Sequence, residues 1–385
     1  MYNFDTAVDR RGTGSIKWDT VSDDVIAMSI ADADWATCPA VTDAVRALLD
    51  SRSVFGYSFG DSGLADAVVE WYSRKFGLTI ERDWVIAHSG IVPALATLSR
   101  LSDGYVLAAE PNYSMLLTAP ARIGRTLVRV PLEERLDGYR LSYHYDFDAL
   151  ESRVGGAGIL YLCNPHNPVG TVYTRDELQR IAEFAARHGL ITVSDEIHCE
   201  LTFGKRHVPW FDVEPLNSVT LIAPGKVCNM PGIPIGLAIV PNAELRQKVR
   251  QLLGHGNGAL NSAAAAGAFS AAADSWKAAQ ASYLAANNGY LADELHKRLP
   301  KARLTRNDGT YLQWLDLSAY ELGDAKKYLL ERARVDLSVG ADFGGTASHV
   351  RLNFATTRER LTAALDRIES ALEGSDDPRR SRRRA

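Results

Sequence analysis

The stretch "GILYLCNPHNPVGTVYTRDELQRIAEFAARHGLITVSDEIH", residues 158–198, decides the fold. It begins with an apolar run of strand composition and passes through a proline-rich turn. It then enters a segment whose apolar residues recur with helical spacing, and it ends in a second apolar run, "LITVS". A strand, a helix and a second strand in this order favour a parallel sheet with the helix packed on one face.

The same alternation extends on both sides of this stretch. A helical segment, "GLADAVVEWYSRKFG", occupies 63–77, and further apolar runs, "YVLAAE" and "SVTLIAP", occupy 105–110 and 218–224. The pattern predicts an α/β fold whose large domain has a mostly parallel sheet flanked by helices. An alanine-rich segment predicts one long or gently broken helix at about 259–299.

Strands and helices return after that helix, and this predicts a smaller α+β C-terminal domain. The weak periodicity and the many turn residues of the first 45 or so residues suggest an arm draped over another surface. We therefore expect four parts, namely the arm at 1–45, a large domain at 46–275, a small domain at 276–374 and a disordered basic tail at 375–385.

Composition and charge narrow the classes of function. With 46% hydrophobic and 23% charged residues the chain is typical of globular proteins, and no apolar run approaches the ~20 residues of a membrane helix. The amino terminus lacks the apolar core of a signal peptide, so we expect a cytoplasmic protein. Its four cysteines form no C-x-x-C pair, which argues against a zinc site or a disulfide framework. The net charge is −4, and the basic residues cluster only in the tail "RRSRRRA", so we expect no nucleic-acid partner.

Polar residues follow three of the predicted strands. They lie at 164–167, at 195–198 and at Lys226 in "LIAPGKVCNMPG". Ligands of open α/β sheets bind beyond the carboxyl ends of the strands, so these three endings could converge on one crevice. An unpaired ammonium in an apolar turn is costly to bury, and burial lowers the pKa of a lysine. Lys226 is therefore a candidate nucleophile or proton carrier.

These strand endings carry a family resemblance. In the order "NPHNPVG", "SDEIH", "APGK" and "VRLNF", they resemble the fold-type I pyridoxal-phosphate enzymes of the aminotransferase class I and II superfamily, over nearly the whole chain. The arm segments "DRRGTGSIKWD" and "IADADW", with "FGYS" and "GTYLQWLD", are similar to the cystathionine β-lyase branch of the MalY and PatB type. The resemblance implies a pyridoxal 5'-phosphate cofactor, a small amino-acid substrate and a catalytic lysine.

The resemblance assigns roles around the cofactor ring. Lys226 would attach covalently to the cofactor and later move the substrate Cα proton. Asp195 would pair with the pyridine nitrogen, although its context also suits a helix N-cap. Asn167 would donate to the phenolic oxygen, while Asn164 is expected to be structural. His198 would bond near the same oxygen, or would be satisfied by its neighbours instead.

Further roles concern the phosphate group. The glycine turn before "IVPALATL" suggests that the amides of Gly90, Ile91 and Val92 hold it, with an ordinary turn as the alternative. Tyr113 would stack on the ring unless it is a core tyrosine. Tyr57 matches a tyrosine that reaches the phosphate from the neighbouring subunit, which implies a homodimer with a shared active site.

Arg351 and the arm would bind the substrate. A bidentate guanidinium at Arg351 suits an α-carboxylate, and a structural ion pair is the alternative. Ser29, Ala31 and Asp32 of the arm would line the substrate pocket.

The motifs leave the reaction open between β-elimination, which releases a thiol, pyruvate and ammonia, and transamination. The branch commonly has Ser-Lys-Thr-Phe-Asn where this chain has Gly-Lys-Val-Cys-Asn at 225–229, and bulky arm residues are replaced by Ser29 and Ala33. We therefore hypothesise a bulky S-conjugate of cysteine as the substrate. Decarboxylation with oxidative deamination is a further alternative, and the intact Lys226 argues against a non-catalytic regulator.

Overall fold

The computed structural model describes residues 2–52, 54–55, 63–254 and 257–373. The predicted Tyr57 and the basic tail lie outside these ranges. The strands are β1 Ile26–Ala27, β2 Val85–His88, β3 Tyr105–Glu110, β4 Leu127–Asp137, β5 Arg140–Tyr145, β6 Ala157–Cys163, β7 Ile191–Asp195, β8 Ser218–Ile222, β9 Gly236–Ile239, β10 Arg303–Thr305, β11 Leu312–Asp316, β12 Val335–Asp336, β13 Ser338–Val339 and β14 His349–Asn353. The helices are α1 Pro39–Ser51, α2 Leu64–Phe76, α3 Ile91–Leu98, α4 Ser114–Thr118, α5 Phe147–Glu151, α6 Arg175–Arg187, α7 Ala243–Leu253, α8 Ala259–Phe269, α9 Asp274–Arg298, α10 Ala325–Arg332 and α11 Arg358–Glu373.

The central sheet is mostly parallel, as the sequence predicts. Strands β4, β3, β6, β7 and β8 lie side by side and are all parallel, and β9 is antiparallel to its neighbours β8 and β2. Parallel strands need helical crossovers, which cover both faces of the sheet. The predicted α/β fold is therefore the observed one.

Alternation along β3 shows how the two faces are packed. Leu107 and Ala109 belong to one core cluster, which includes the apolar face of α6. Val106 and Ala108 point the other way and pack with residues of α3 and α7. Helix α6 begins at a capping box in which Thr174 and Glu177 bond each other's backbone amides, a local signal that fixes where the chain leaves the turn. The sheet is thus buried between two helical layers.

A long hairpin joins the predicted small domain to this sheet. The first half of β4 pairs with β3, and its second half pairs with β5 in antiparallel fashion. Strand β5 then pairs with β10, so the strands of the C-terminal region continue the same sheet. The sequence signal for this hairpin is Asp137–Gly138, where Gly138 has a φ of 60°. The domain boundaries themselves stay a prediction.

The alanine-rich segment forms a broken helix, as expected. Helices α8 and α9 are separated at Ser270, whose backbone is extended (φ −72°, ψ 158°). Helix α8 packs closely on α1, because a Cβ at Gly267 would clash with the Ala40 carbonyl. Small residues on α8 therefore allow α1, the helix that follows the arm, to pack closely against it.

Buried ion pairs hold the arm on the body of the protein. Lys17 and Asp34 are both about 1% exposed, and Lys17 Nζ lies 2.8 Å from Asp34 Oδ1. The second oxygen of Asp34 accepts bonds from Arg360 at 2.7 Å and from the Thr356 hydroxyl at 2.6 Å. Although burial alone would raise the pKa of Asp34, the charges of Lys17 and Arg360 lower it. The arm is thus attached to the rest of the protein by ion pairs that are buried from solvent.

The described ranges contain no helix that is long and apolar enough to cross a membrane. Within the same ranges no cluster of His, Cys, Asp and Glu side chains is arranged to hold a metal ion. Cys38, Cys163, Cys199 and Cys228 are buried free thiols.

Replacing Asp34 by alanine should destabilise the protein strongly. The change removes the nearest carboxylate of the buried Lys17 ammonium and leaves it only the more distant Asp32, at 3.5 Å, and breaking a buried pair costs about 3–5 kcal/mol. Urea unfolding measures this loss. Asp43→Ala is the matched control, because its pair with Arg46 is exposed and contributes about 0–1 kcal/mol. Equal effects of the two substitutions would contradict the buried anchor.

Candidate active site

The three polar strand endings lie at the same edge of the sheet. Cys163 at the end of β6 is in register with Asp195 at the end of β7, and the Asn164 amide donates to the Asp195 carbonyl at 3.0 Å. Lys226 follows the neighbouring strand β8. Parallel pairing places these carboxyl ends together, so the residues border one crevice.

Lys226 is set up as an amine of reduced basicity. Burial and the positive charge of Arg351 lower the pKa of Lys226 to about 8, against the opposing influence of Asp32 and Asp195. Its Nζ donates a hydrogen bond to the Ala31 carbonyl at 2.8 Å. A substantial fraction of the side chain is therefore neutral near pH 7 to 8 and able to act as a nucleophile or base.

Asp195 is a buried acid that lacks a cationic partner at ion-pair distance within the described ranges. Burial raises the pKa of Asp195 to about 7. Its Oδ1 accepts the Ile197 amide at 3.3 Å, so the carboxylate supports a turn, and no helix begins there. The N-cap alternative is therefore wrong, and the second oxygen is available to a positively charged ligand group.

Arg351 is a buried guanidinium, 5% exposed, and it lies opposite these groups. Its Nη1 donates to Asn167 Oδ1, and its Nη2 donates to the Ser29 carbonyl and to Ser338 Oγ, each at 3.0 Å. Its Cζ lies 4.4 Å from the centre of the Phe343 ring. No carboxylate of the described chain lies within 4.0 Å, so the structural ion pair is not formed. Burial lowers the pKa of Arg351 to about 10.

His198 also lacks partners. It is 2% exposed, and neither ring nitrogen has a hydrogen-bond partner in the part of the chain that is described. Burial and the nearby charges of Lys226 and Arg351 hold the pKa of His198 well below its usual value, so the ring is neutral. Its edge meets the Tyr311 ring, with centroids 5.9 Å apart. The alternative in which neighbours satisfy His198 does not hold here, and the ring nitrogens are available to a ligand.

Asn167, Asn164 and Tyr113 complete this side of the crevice. Asn167 Oδ1 is occupied by Arg351, which leaves the Nδ2 amide to donate to a ligand oxygen. Asn164 Oδ1 accepts the Tyr173 amide at 3.3 Å, in agreement with a structural role. Tyr113 immediately precedes α4 and is partly buried, and burial together with the Asp195 charge raises its pKa. The tyrosine is therefore near the carboxylate, where a flat ligand ring could contact it.

Helix α3 begins at the predicted anion site. Gly90 has a φ of 131°, a region that only glycine adopts easily, and it is the residue immediately before the helix. The first amides of the helix, including those of Ile91 and Val92, have no acceptor within the helix itself. Such a helix start suits a phosphate group.

The arm residues enter the crevice through their backbone. The Ser29 carbonyl accepts from Arg351, and the Ala31 carbonyl accepts from Lys226 and from the Tyr311 hydroxyl at 3.0 Å. Both oxygens of Asp32 are bound by Arg10, at 2.8 and 2.9 Å. The side chain of Asp32 is thus committed to the arm, and only a backbone contribution to substrate binding fits the geometry.

Two asparagines that the sequence analysis missed clamp this part of the arm. Asn229, with a φ of 50°, accepts the Ala33 amide and donates to the Trp35 carbonyl at 2.6 Å. Asn353 donates to the carbonyls of Ile30 and Asp32, at 2.6 and 2.7 Å. Both lie within quoted motifs, as the residue three positions after Lys226 and as the asparagine of "VRLNF". The sequence signal that could have identified both residues is an amide side chain in an otherwise apolar run.

Two of the substitutions taken to enlarge the pocket do not line it. Cys228 and Ala33 are 0% and 1% exposed and belong to the largest core cluster. Cys228 packs towards Cys38, whose amide bonds the Cys228 carbonyl at 3.0 Å. Their small size therefore fits core packing, and only Ser29 and Gly225 remain as arguments for a wider site.

Fold and site together define an α/β protein with an activated lysine, a buried acid and an unpaired arginine in one crevice. The sequence profile described as "Aminotransferase class I and II" matches residues 23–368, so the chain belongs to this family. The resemblance and the fold-type I architecture expected from the motifs are thereby confirmed.

Relatives and solved structures agree over nearly the full length. The chain is 32% identical to "Cystathionine beta-lyase PatB" of Bacillus subtilis, over 96% of this chain and 100% of that protein. It is 30% identical to "Protein MalY" of Escherichia coli, over 97% and 99% of the two chains. The crystal structure of the PLP-bound C-S lyase from Staphylococcus hominis is similar, with a TM-score of 0.89 and 28% identity, over 97% of this chain and 98% of that one.

The reactivity of Lys226 in the cofactor-free protein should depend on pH with a midpoint near 8. Only the neutral amine reacts with an acylating reagent, and the lowered pKa makes that form abundant above pH 8 and scarce below it. Peptide mass spectrometry over a pH series measures the modification of each lysine. Lys248, whose side chain is exposed to solvent, is the internal control for the reagent. Coincident profiles for the two lysines would contradict the desolvated site.

Proposed function

We propose that this protein is a pyridoxal-phosphate-dependent carbon–sulfur β-lyase that cleaves a cysteine S-conjugate to a thiol, pyruvate and ammonia. The observation that carries the proposal is that Lys226, an amine of lowered pKa, lies near Arg351, a buried guanidinium without a carboxylate partner among the described residues. The relatives named cystathionine β-lyase and C-S lyase support the choice of reaction.

The residues of the crevice fit the cofactor. Asp195 offers a desolvated carboxylate to a protonated ring nitrogen, and the start of α3 offers amides to the phosphate. The orphaned ring of His198 and the free amide of Asn167 suit the phenolic oxygen, and Tyr113 suits a ring contact. Lys226 is the amine that would bind the aldehyde carbon.

Each side chain then has a defined part in the reaction. Bound pyridoxal phosphate supplies an electron-withdrawing ring that stabilises negative charge at the substrate Cα. Asp195 keeps a proton on the ring nitrogen, and Arg351 holds the α-carboxylate so that the Cα–H bond faces Lys226. The neutral Lys226 amine takes the Cα proton, and the electron pair expels the sulfur from Cβ. The thiolate takes up a proton, and the remaining three-carbon unit takes up water and leaves as pyruvate and ammonia.

The substrate proposed is a conjugate with a bulky group on sulfur. Gly225 adds no side chain beside Lys226. The space next to it is open enough for a Cβ, which would lie 3.6 Å or more from the nearest atoms, those of Pro231 and Met230. Ile30 of the arm is 39% exposed beside the Ala31 carbonyl and offers an apolar surface to such a group. A homodimer in which Tyr57 of the second subunit completes the phosphate site is part of the same proposal, as is a cytoplasmic location.

Transamination is the second candidate, because the family profile takes its name from that reaction and the cofactor-binding groups would serve both. Transamination would use Lys226 to move the substrate Cα proton onto the cofactor, and the Cβ–S bond would stay intact. The two reactions therefore differ in their products.

Product analysis without an added 2-oxo acid tests the proposal. We expect thiol and pyruvate in equal amounts from a bulky aryl cysteine thioether, with a higher kcat/KM than for cystathionine. Lys226→Ala should lower thiol release by at least about 10²-fold, because it removes the proton-transferring group. Lys248→Ala, an exposed lysine, is the matched control. Loss of the amino group without thiol release would make the protein a transaminase, and better turnover of cystathionine would overturn the bulky substrate.

A further inference from the structure

The donors of Arg351 are unevenly occupied. A guanidinium has five N–H groups, of which Nη1 and Nη2 carry two each and Nε carries one. Nη2 donates to the Ser29 carbonyl and to Ser338 Oγ, and Nη1 donates to Asn167. Nε is buried and has no partner within the described residues. The guanidinium therefore has two N–H groups left, one on Nε and one on Nη1.

These two groups cannot hold one carboxylate together. A guanidinium binds a carboxylate with two parallel bonds along the edge shared by Nε and Nη2, or along the edge shared by Nη1 and Nη2. Nη2 takes part in both edges, and in this structure its donors are directed to Ser29 and Ser338. A bidentate carboxylate must therefore share Nη2 with these two protein partners or displace one of them.

Ser338 is the partner that can be displaced at the lower cost. Its hydroxyl donates to the Ser29 carbonyl at 2.7 Å while it accepts from Nη2. If Nη2 turns to a ligand, the Ser338 hydroxyl still has the Ser29 carbonyl as its acceptor, and that carbonyl still has a donor. Ser338 also lies directly opposite Arg351 in the pairing of β13 with β14, so the backbone fixes its position.

We propose that Ser338 and the Ser29 carbonyl form an internal lock on Nη2 of Arg351, and that Ser338 thereby sets the affinity of this site for a carboxylate. The inference rests on the proposed function, because Arg351 is taken to be the residue that binds the substrate α-carboxylate. It adds that Nη2 is bonded by Ser338 of β13 together with the Ser29 carbonyl of the arm. Carboxylate binding opens the lock at Ser338, and the ligand oxygen takes the place of Ser338 Oγ on Nη2.

The lock and a purely supporting role of Ser338 predict opposite changes in carboxylate affinity when Ser338 is replaced by alanine. If Ser338 merely held Arg351 in place, Ser338→Ala would loosen the guanidinium and weaken carboxylate binding. If Ser338 competes with the ligand, the same substitution frees one N–H of Nη2 and strengthens binding. A net hydrogen bond is worth about 0.5–1.5 kcal/mol, so we expect Ser338→Ala to bind a carboxylate roughly 2- to 10-fold more tightly.

Isothermal titration with 3-(methylthio)propionate tests this. The probe has the carboxylate and the sulfur but no amine, so it cannot react with the cofactor. It is titrated into wild-type protein, Ser338→Ala and Ser338→Thr, each with and without pyridoxal phosphate. The threonine variant keeps the hydroxyl and should match the wild type, and Arg351→Gln should lose the binding in every case.

The lock is supported if Ser338→Ala binds the probe more tightly than the wild type and Ser338→Thr does not. Unchanged or weaker binding to Ser338→Ala, or binding that survives Arg351→Gln, overturns it. As a second readout, the KM of Ser338→Ala for a cysteine conjugate should fall while kcat stays near the wild-type value. Failure of the proposed function is distinguishable, because it appears as absent thiol release in the wild type, whereas the titration reports on the carboxylate site without turnover.

Discussion

Two buried cations, Lys226 and Arg351, are the constraint on which the rest of the site depends, because neither has a carboxylate partner among the residues that the structure describes. Removing a charge from water costs several kcal/mol even after the surroundings relax, so a protein keeps such groups only where hydrogen bonds or a ligand offset the cost. Here the offset comes from main-chain carbonyls of the arm, Ala31 for the lysine and Ser29 for the arginine. Burial and the nearby charge of Arg351 lower the pKa of Lys226, which keeps the lysine reactive.

The arm can play this part only because it is held in place. Asn229 and Asn353 bond its backbone on both sides of Ala31, and the buried Lys17–Asp34 pair fixes it to the C-terminal helix through Arg360. Residues more than 300 positions apart therefore define one short backbone segment. This explains why an arm with little secondary structure of its own has well-defined contacts, and why its stability and the chemistry of the site are coupled.

Much of the fold could be predicted from local pattern. The run "YVLAAE" coincides with β3, and the helix after "NPHNPVG" begins where its capping box lies. The positions of Asp195 and Lys226 followed from the rule that parallel strands end at one edge, together with the family motifs. These features depend on a few neighbouring residues, so one sequence is enough to recognise them.

The rest depended on contacts between distant residues. The pairing of Arg351 with Ser338 is set by the register of β13 and β14, and the pairing of Asp32 with Arg10 by the path of the arm. Neither register nor path has a local signal. The error at Cys228 has the same origin, because successive residues in the turn after Lys226 face the crevice or the core, and only the packed structure decides which.

The central claim is that Lys226, made reactive by burial, is the residue that carries the cofactor. Its most direct test is to load the protein with pyridoxal phosphate, reduce it with borohydride so that the cofactor becomes fixed to whichever amine holds it, and map the added mass by peptide mass spectrometry. We expect one cofactor per chain, on the peptide that contains Lys226. A label on another lysine, or no label at all, would contradict the account.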